Sequence, residues 1–125
     1  MLNRISIMGR MTKDPELRYT QSEKPVASFT LAVDRDGKDA GTDFINCVAW
    51  DRTATFVDSY FKKGSMAVVD GRLQMRNWED REGNKRTTAE VVAFSVYFGE
   101  SKKRDDAPGT SIFAGLSDAD GDLPF

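Results

Sequence analysis

Apolar and polar residues alternate along most of the first 99 positions, which is the pattern of β-strands that bury one face. The alternation is clearest in residues 26–35, where four apolar side chains share one face: Ala27, Phe29, Leu31 and Val33. Pro15 interrupts the chain after the first strand, and residues 17–19 form a short extended piece. The pattern predicts five main strands, at residues 2–11, 26–35, 43–52, 65–79 and 85–98.

The period changes between the third and fourth strands. Ala54, Val57 and Phe61 follow the spacing of one helix face, which predicts a short helix within residues 53–63. Asp51 and Thr53 are candidate N-caps, and Gly64 is a candidate stop. The resulting order, β-β-β-α-β-β, predicts an all-β fold, a five-stranded Greek-key barrel of the OB type. An α+β sandwich is the alternative that the pattern leaves open.

Charge divides the 125-residue chain into two parts. Residues 1–99 carry 15 Lys and Arg against 14 Asp and Glu, whereas residues 100–125 carry 3 against 6. The net charge of −2 therefore comes from the tail, and the body is slightly basic. We predict one domain at residues 1–99, a flexible linker at 100–117 and an acidic tip at 118–125 that ends in Leu-Pro-Phe.

The composition argues against most catalytic chemistry. The chain has no histidine and only one cysteine, so a Cys/His zinc site within one chain and a Cys–His nucleophilic pair are both excluded. Asp118, Asp120 and Asp122 resemble the start of a calcium loop, but Leu123 stands where that loop requires glycine. We expect no catalytic residue, metal or cofactor. The single cysteine and the lack of a signal-like or long apolar segment predict a cytoplasmic protein.

Aromatic and basic side chains share the outer faces of two predicted strands. In residues 43–52 the core face holds Ile45, Cys47 and Ala49, and the other face holds Phe44, Asn46, Val48, Trp50 and Arg52. In residues 65–79 we expect Leu73 and Met75 to point inward, and the outer face to hold Arg72, Gln74, Arg76 and Trp78. Bases stack on aromatic rings for about 1–3 kcal/mol each, and Arg and Lys neutralise phosphates, so the pattern is typical of single-stranded nucleic-acid binding. The alternative is that Phe44 and Trp50 pack into the core or a subunit interface.

Six segments of the chain closely resemble the bacterial single-stranded DNA-binding proteins, in the versions found in Gram-positive bacteria and their phages or mobile elements. The segments are Leu-Asn-Arg-Ile at 2–5, Gly-Arg-Met-Thr-Lys-Asp-Pro-Glu-Leu-Arg-Tyr at 9–19, Val-Ala-Ser-Phe-Thr-Leu-Ala-Val at 26–33, Asp-Phe-Ile-Asn-Cys-Val-Ala-Trp at 43–50, Phe-Lys-Lys-Gly-Ser at 61–65 and Asp-Gly-Arg-Leu-Gln-Met-Arg-Asn-Trp at 70–78. The terminal Asp-Leu-Pro-Phe also matches.

The resemblance implies an OB-fold homotetramer wrapped by single-stranded DNA, with a dimer interface along residues 2–8. It places the stacking aromatics at Phe44, Trp50 and Trp78. It places the basic contacts at Arg76, Arg52, Lys63 and Arg18. To these we add Arg35, Arg72 and Lys85 from their predicted face or loop position. The loop at residues 36–42 is short and has no aromatic residue, unlike that of many members of the family.

The expected function follows from the resemblance. The protein would coat and protect single-stranded DNA without strong sequence preference during replication, recombination and repair. The tip would recruit partner enzymes through Asp118, Asp120, Asp122, Leu123, Pro124 and Phe125. A protein-interaction module on the same fold is the first alternative, and a metal-dependent nuclease is the second.

Overall fold

The computed structural model describes residues 1–100. Its strands are β1 (Ile5–Met11), β2 (Glu16–Tyr19), β3 (Pro25–Asp34), β4 (Thr42–Trp50), β5 (Met66–Glu79) and β6 (Lys85–Phe98). One helix, α1 (Asp51–Tyr60), lies between β4 and β5. The predicted linker beyond residue 100 and the predicted tip lie outside the described residues. No helix within residues 1–100 is long and apolar enough to cross a membrane.

Five strands close into a barrel. The sheet runs β1-β5-β6-β4-β3-β2, and a further pairing of β1 with β3 closes the ring and leaves β2 outside it. The β4–β6 pairing is parallel, and the other pairings are antiparallel. The predicted OB-type barrel is confirmed, and the closed ring excludes the sandwich. The short extended piece at 17–19 is β2, which pairs with the first residues of β3 while β1 pairs further along the same edge.

The core lies inside the ring and is covered by α1. Its fully buried side chains come from every main strand and from the helix: Met11, Ala27, Leu31, Ala49, Val57, Val69 and Val91. The predicted core face of β3 is confirmed, with Val33 partly buried against the cluster. Burial of these apolar groups contributes about 25 cal/mol per Å² removed from water. The alternation in the sequence therefore corresponds to one continuous interior.

The predicted helix caps are wrong. Trp50 holds the N-cap position in an extended conformation and makes no side-chain cap bond, and α1 begins at Asp51. The Thr53 hydroxyl donates instead to the carbonyl oxygen of Phe94 at 3.4 Å, which ties the helix to β6. Gly64 has a φ of +91° but lies beyond Phe61, the C-cap. A helix that packs Ala54 and Val57 into the core depends less on capping than an isolated helix does.

The hairpin of β5 and β6 extends past the end of the barrel. Pairing of β1 with β5 ends at Gly71, and pairing of β4 with β6 covers only residues 91–93. Residues 74–79 and 85–90 therefore pair only with each other, and we call them the ribbon. Leu73 and Met75 were predicted to point inward, but neither side chain is buried in the core. They share the alternation of Val69, but the core has ended and they are 42% and 56% exposed.

A register shift lies at the base of the ribbon, between Asp70 and Gly71. A Cβ atom on Gly71 would overlap the carbonyl oxygen of Val92 and lie 3.1 Å from the Cα atom of Ala93. Both obstacles are backbone atoms, which cannot rotate away as a side chain does. Glycine is therefore required here by the close approach of the two strands.

We expect Gly71→Ala to lower the free energy of unfolding by about 2–4 kcal/mol, because relief of the overlap requires the strands to separate. The measurement is urea denaturation at a fixed protein concentration. Gly83→Ala is the control, since its Cβ would meet nothing within 4 Å and only its φ of +83° is unfavourable, at a cost of about 1 kcal/mol. Equal losses in the two variants would contradict the packing explanation.

Candidate nucleic-acid interface

A groove of about 570 Å³ lies on the outer face of β3 and β4, beside the ribbon. Its polar and charged lining comes from six parts of the chain: Lys13, Glu16, Arg18, Thr30, Asn46, Gln74, Arg76 and Glu90 among them. Val26 and Val48 form its apolar floor and pack with Val92 into a small second cluster. Val48 lies on the outer face as predicted but is buried by its neighbours on the two flanking strands.

The candidate aromatic residues lie outside the core. Trp50 lines the groove and is 43% exposed, and Phe44 is 67% exposed on the same strand face. Trp78 is 41% exposed on the ribbon, where its indole N–H donates to the Thr88 hydroxyl at 2.7 Å. The alternative that Phe44 and Trp50 fill the core is therefore wrong. All three candidate rings therefore remain on the surface, and the ring of Trp78 is tied to the opposite strand of the ribbon.

Two of the predicted basic residues meet Trp50 in the groove. The Arg18 guanidinium donates to the Ser28 hydroxyl at 2.9 Å, so it is held against β3. Arg76 lies across the groove on β5, with its Nε atom 3.5 Å from Glu90 and its side chain 57% exposed. Trp50, Arg18 and Arg76 form the part of the predicted set that the fold brings together. Arg72 shares the strand face of Arg76 but lies outside the groove lining.

The structure places other predicted residues elsewhere. Arg52 belongs to α1 and not to a strand, because the helix begins one residue before it, and it lines a separate depression with Phe56 and Phe94. Lys63 follows α1, and its backbone N–H donates to the Asp14 carboxylate at 2.8 Å. Neither residue is among those that line the groove.

Arg35 is engaged by a carboxylate at the start of β4. Its guanidinium forms a two-atom contact with Asp43, with Nη2 at 2.8 Å and Nε at 3.1 Å. This hydrogen bond holds the pKa of Asp43 below its usual range and raises the pKa of Arg35. The pair closes the β3–β4 loop, together with the bond from the Arg35 N–H to the Gly41 carbonyl oxygen. Its most direct role is therefore to fix this short loop.

The register of the ribbon separates Lys85 from Arg86. Lys85 lies opposite Glu79, on the face away from the groove, whereas Arg86 lies opposite Trp78 and shares its face. The Asp80 carboxylate accepts from Arg86 at 3.0 Å and from the backbone N–H groups of the turn. The turn hydrogen bonds, first that of Asn84, lower the pKa of Asp80. Arg86, which was not among the predicted site residues, therefore shares the ribbon face of Trp78, and Lys85 does not.

The groove also contains residues that the predicted site omitted. Asn46 and Gln74 were assigned to the correct face by alternation but not to the site, and Thr30 donates to Asn46 at 3.0 Å. Lys13 lies in a turn where no periodicity indicates its direction. Glu90 was missed because its face depends on its pairing with Gln74. The residue pattern of one β-strand does not show which residue lies opposite it on the next. The position of Glu90 beside Gln74 therefore required the register.

Cys47 lies beneath the groove and is 3% exposed. Burial, with a smaller contribution from the charge of Glu90, raises the pKa of its thiol to about 12. The thiol is therefore protonated at neutral pH, and the predicted role of a small buried apolar residue is confirmed. Among residues 1–100, no group of three Cys, Asp or Glu side chains is arranged to hold a metal ion.

Comparison with known proteins gives one consistent result. A family model described as the single-strand binding protein family matches residues 2–99. The chain is 50% identical over 115 residues to single-stranded DNA-binding protein 2 of Listeria monocytogenes, which covers 89% of this chain and 72% of the relative. It is 53% identical over 106 residues to single-stranded DNA-binding protein A of Bacillus subtilis, which covers 82% and 62%.

A third relative, single-stranded DNA-binding protein 1 of Staphylococcus aureus, is 52% identical over 110 residues, which cover 85% of this chain and 70% of the relative. The predicted resemblance to the Gram-positive versions is therefore confirmed. Because the family model spans the whole barrel and the identity reaches half of the aligned residues, this chain belongs to the single-strand binding protein family.

Proposed function

We propose that this protein binds single-stranded DNA in the groove and carries out no catalysis on it. The observation that carries the proposal is the presence of a partly exposed Trp50 in one groove with Arg18, Arg76 and an apolar floor. A base stacks on the indole and leaves water, while the guanidinium groups neutralise the phosphates on either side of it. Stacking requires only a flat ring, so binding has no strong sequence preference.

The path of the bound DNA continues from the groove onto the ribbon and along β4. Trp78 and Arg86 share the ribbon face of Arg76, and Phe44 shares the strand face of Asn46. A duplex cannot use these rings, because its bases are stacked inside it. The proposal therefore includes a preference for single strands over duplex. The names of the relatives in Listeria, Bacillus and Staphylococcus support the same ligand.

We propose further that the protein assembles as a homotetramer in which β1 forms the interface of each dimer. Within the described residues, β1 pairs with β5 along its length but with β3 only at Arg10 and Met11. The other edge of Ile5–Met8 therefore has unpaired backbone groups, and Leu2 and Met8 are 90% and 53% exposed. An open edge with apolar side chains is a template for pairing with a second copy.

The cellular role completes the proposal. The protein protects single-stranded DNA during replication, recombination and repair in the cytoplasm, in association with the nucleoid. Residues 118–125 recruit partner enzymes, with Phe125 entering an apolar pocket and the three aspartates meeting a basic rim. Those acids also compete with phosphate for the cations of the groove, since both ligands are anionic.

We expect single-stranded oligonucleotides to bind with quenching of Trp50 and Trp78 fluorescence, and binding to weaken with salt at a slope of about −0.7 per phosphate contacted. Trp50→Ala weakens binding by about 5- to 150-fold, which corresponds to the ~1–3 kcal/mol of one stacked base. Anisotropy of a labelled poly-thymidine strand measures both effects. Tyr60→Ala is the control, because this ring is 64% exposed but lies on α1 against Phe56 and Phe98. Equal affinity for duplex and single strand would refute the proposal.

We expect sedimentation to give a particle of four chains of 14.0 kDa each. Met8→Glu places a charge beside the open edge of β1 and shifts the particle to smaller species, because pairing would bury that charge. Ser59→Glu adds the same charge on the exposed surface of α1 and leaves the mass unchanged. A wild-type monomer at micromolar concentration would contradict assembly through this edge.

Deletion of Phe125 is expected to abolish the retention of partner enzymes on the immobilised protein and to leave DNA affinity equal or slightly higher. The deletion removes the apolar anchor, whereas the groove is untouched. Ser117→Ala, just before the tip, is the matched control. The readouts are the set of enzymes retained from a bacterial extract and the anisotropy of a labelled strand. Much weaker DNA binding after the deletion would indicate that the tail has a structural role.

A further inference from the structure

A carboxylate lies in the wall of the groove where the proposed ligand is a polyanion. Glu90 is on β6, directly opposite Gln74, and its side chain is only 16% exposed. The other acid of the groove, Glu16, is exposed. A negative charge with so little exposure is unfavourable unless hydrogen bonds and opposite charges compensate it, and it repels the phosphates of the proposed ligand. Attraction between the groove and the phosphates of DNA therefore does not explain why a carboxylate lies at this position.

The contacts of Glu90 are long for a group so far removed from water. Gln74 Nε2 donates to one carboxylate oxygen at 3.4 Å, and Arg76 Nε lies 3.5 Å from the other. Strong N–H···O bonds are about 2.9 Å, and a carboxylate has about four acceptor positions. Glu90 therefore keeps acceptor capacity that its neighbours do not fill. A ligand with an N–H donor would fill it.

Bound DNA would leave still more of the acceptor positions of Glu90 unfilled. The Arg76 side chain is 57% exposed, so its outward N–H groups are available to a phosphate. As Arg76 turns towards the phosphate, Glu90 loses part of its partner. At the same time Glu90 repels phosphates from the interior of the groove, and the backbone of the strand follows Arg18, Arg76 and Lys13. The bases, and not the phosphates, then face Glu90.

We infer that Glu90 is a specificity-determining residue that accepts a hydrogen bond from the exocyclic amino group of a base held in the groove. The inference rests on the proposed function. Cytosine presents an N4 amino group, whereas thymine presents a carbonyl oxygen at the same position, which a carboxylate repels. One subsite therefore favours cytosine over thymine, although stacking on Trp50 is indifferent to sequence. Adenine, with its own amino group, is also accepted.

The test compares strands of thymidine and of 5-methyl-deoxycytidine, which differ in the amino or carbonyl group and the N3 proton but share the methyl group. The full-length wild-type protein and Glu90→Gln are titrated with both strands at one length and one salt concentration. The glutamine amide both donates and accepts, so it accommodates either base. We expect the ratio of the thymidine Kd to the 5-methyl-deoxycytidine Kd to fall by about 3- to 10-fold in Glu90→Gln.

Division of the two ratios removes any difference in the stiffness of the free strands. Glu16→Gln is the matched control, because it removes one charge from the same groove at an exposed position. It strengthens both complexes alike and leaves the ratio unchanged. Circular dichroism and thermal unfolding establish that each variant is folded.

An equal gain for both strands in Glu90→Gln would show that Glu90 acts only through its charge and would overturn the inference. If that variant does not fold, the wild-type protein decides: equal affinity for the two strands overturns the inference, and tighter binding of 5-methyl-deoxycytidine supports it. Failure of the proposed function is a different result, in which the wild-type protein binds neither strand more tightly than duplex.

Discussion

Closure of the sheet around one small core is the constraint on which the rest of this structure depends. The parallel pairing of β4 with β6 and the short pairing of β1 with β3 complete the ring. Once the ring is closed, every second side chain of β3 and β4 is committed to the interior. The opposite face is left for Trp50 and its neighbours. A change in strand register would move the rings inside and destroy the core and the groove together.

The groove depends on an arrangement that the barrel alone does not provide. One wall belongs to strands packed on the core, and the other belongs to β5 and β6 as they leave it. Gly71 permits this by allowing the two backbones to approach where the register shifts. Val26 and Val48 give the groove an apolar floor, and Arg18 and Arg76 add positive charge to its lining. The strands therefore set the shape of the groove, and the side chains on their outer face supply its charge.

Most of the fold could be predicted from the sequence, because strand alternation is a local signal. The interior of β3, the helix face of Ala54 and Val57, and the outward direction of Trp50 all followed from it. The errors concern properties that are not local. Alternation does not show where a core ends, so Leu73 and Met75 were predicted to be buried. It does not contain register, so it could not show that Arg86 lies opposite Trp78 or that Glu90 lies opposite Gln74.

The self-paired ribbon has a consequence for the mobility of the molecule. Its residues pair with neither β1 nor β4. The hydrogen bonds of the ribbon can therefore open while the pairing around the core stays intact. Local opening of this kind has a smaller free energy than global unfolding, and we expect faster amide exchange in the ribbon than in the barrel. Trp78 thus lies on the segment that reorganises most readily, whereas Trp50 lies on the rigid barrel. Of the two tryptophans in the proposed DNA path, one is therefore fixed to the barrel and the other can move with the ribbon.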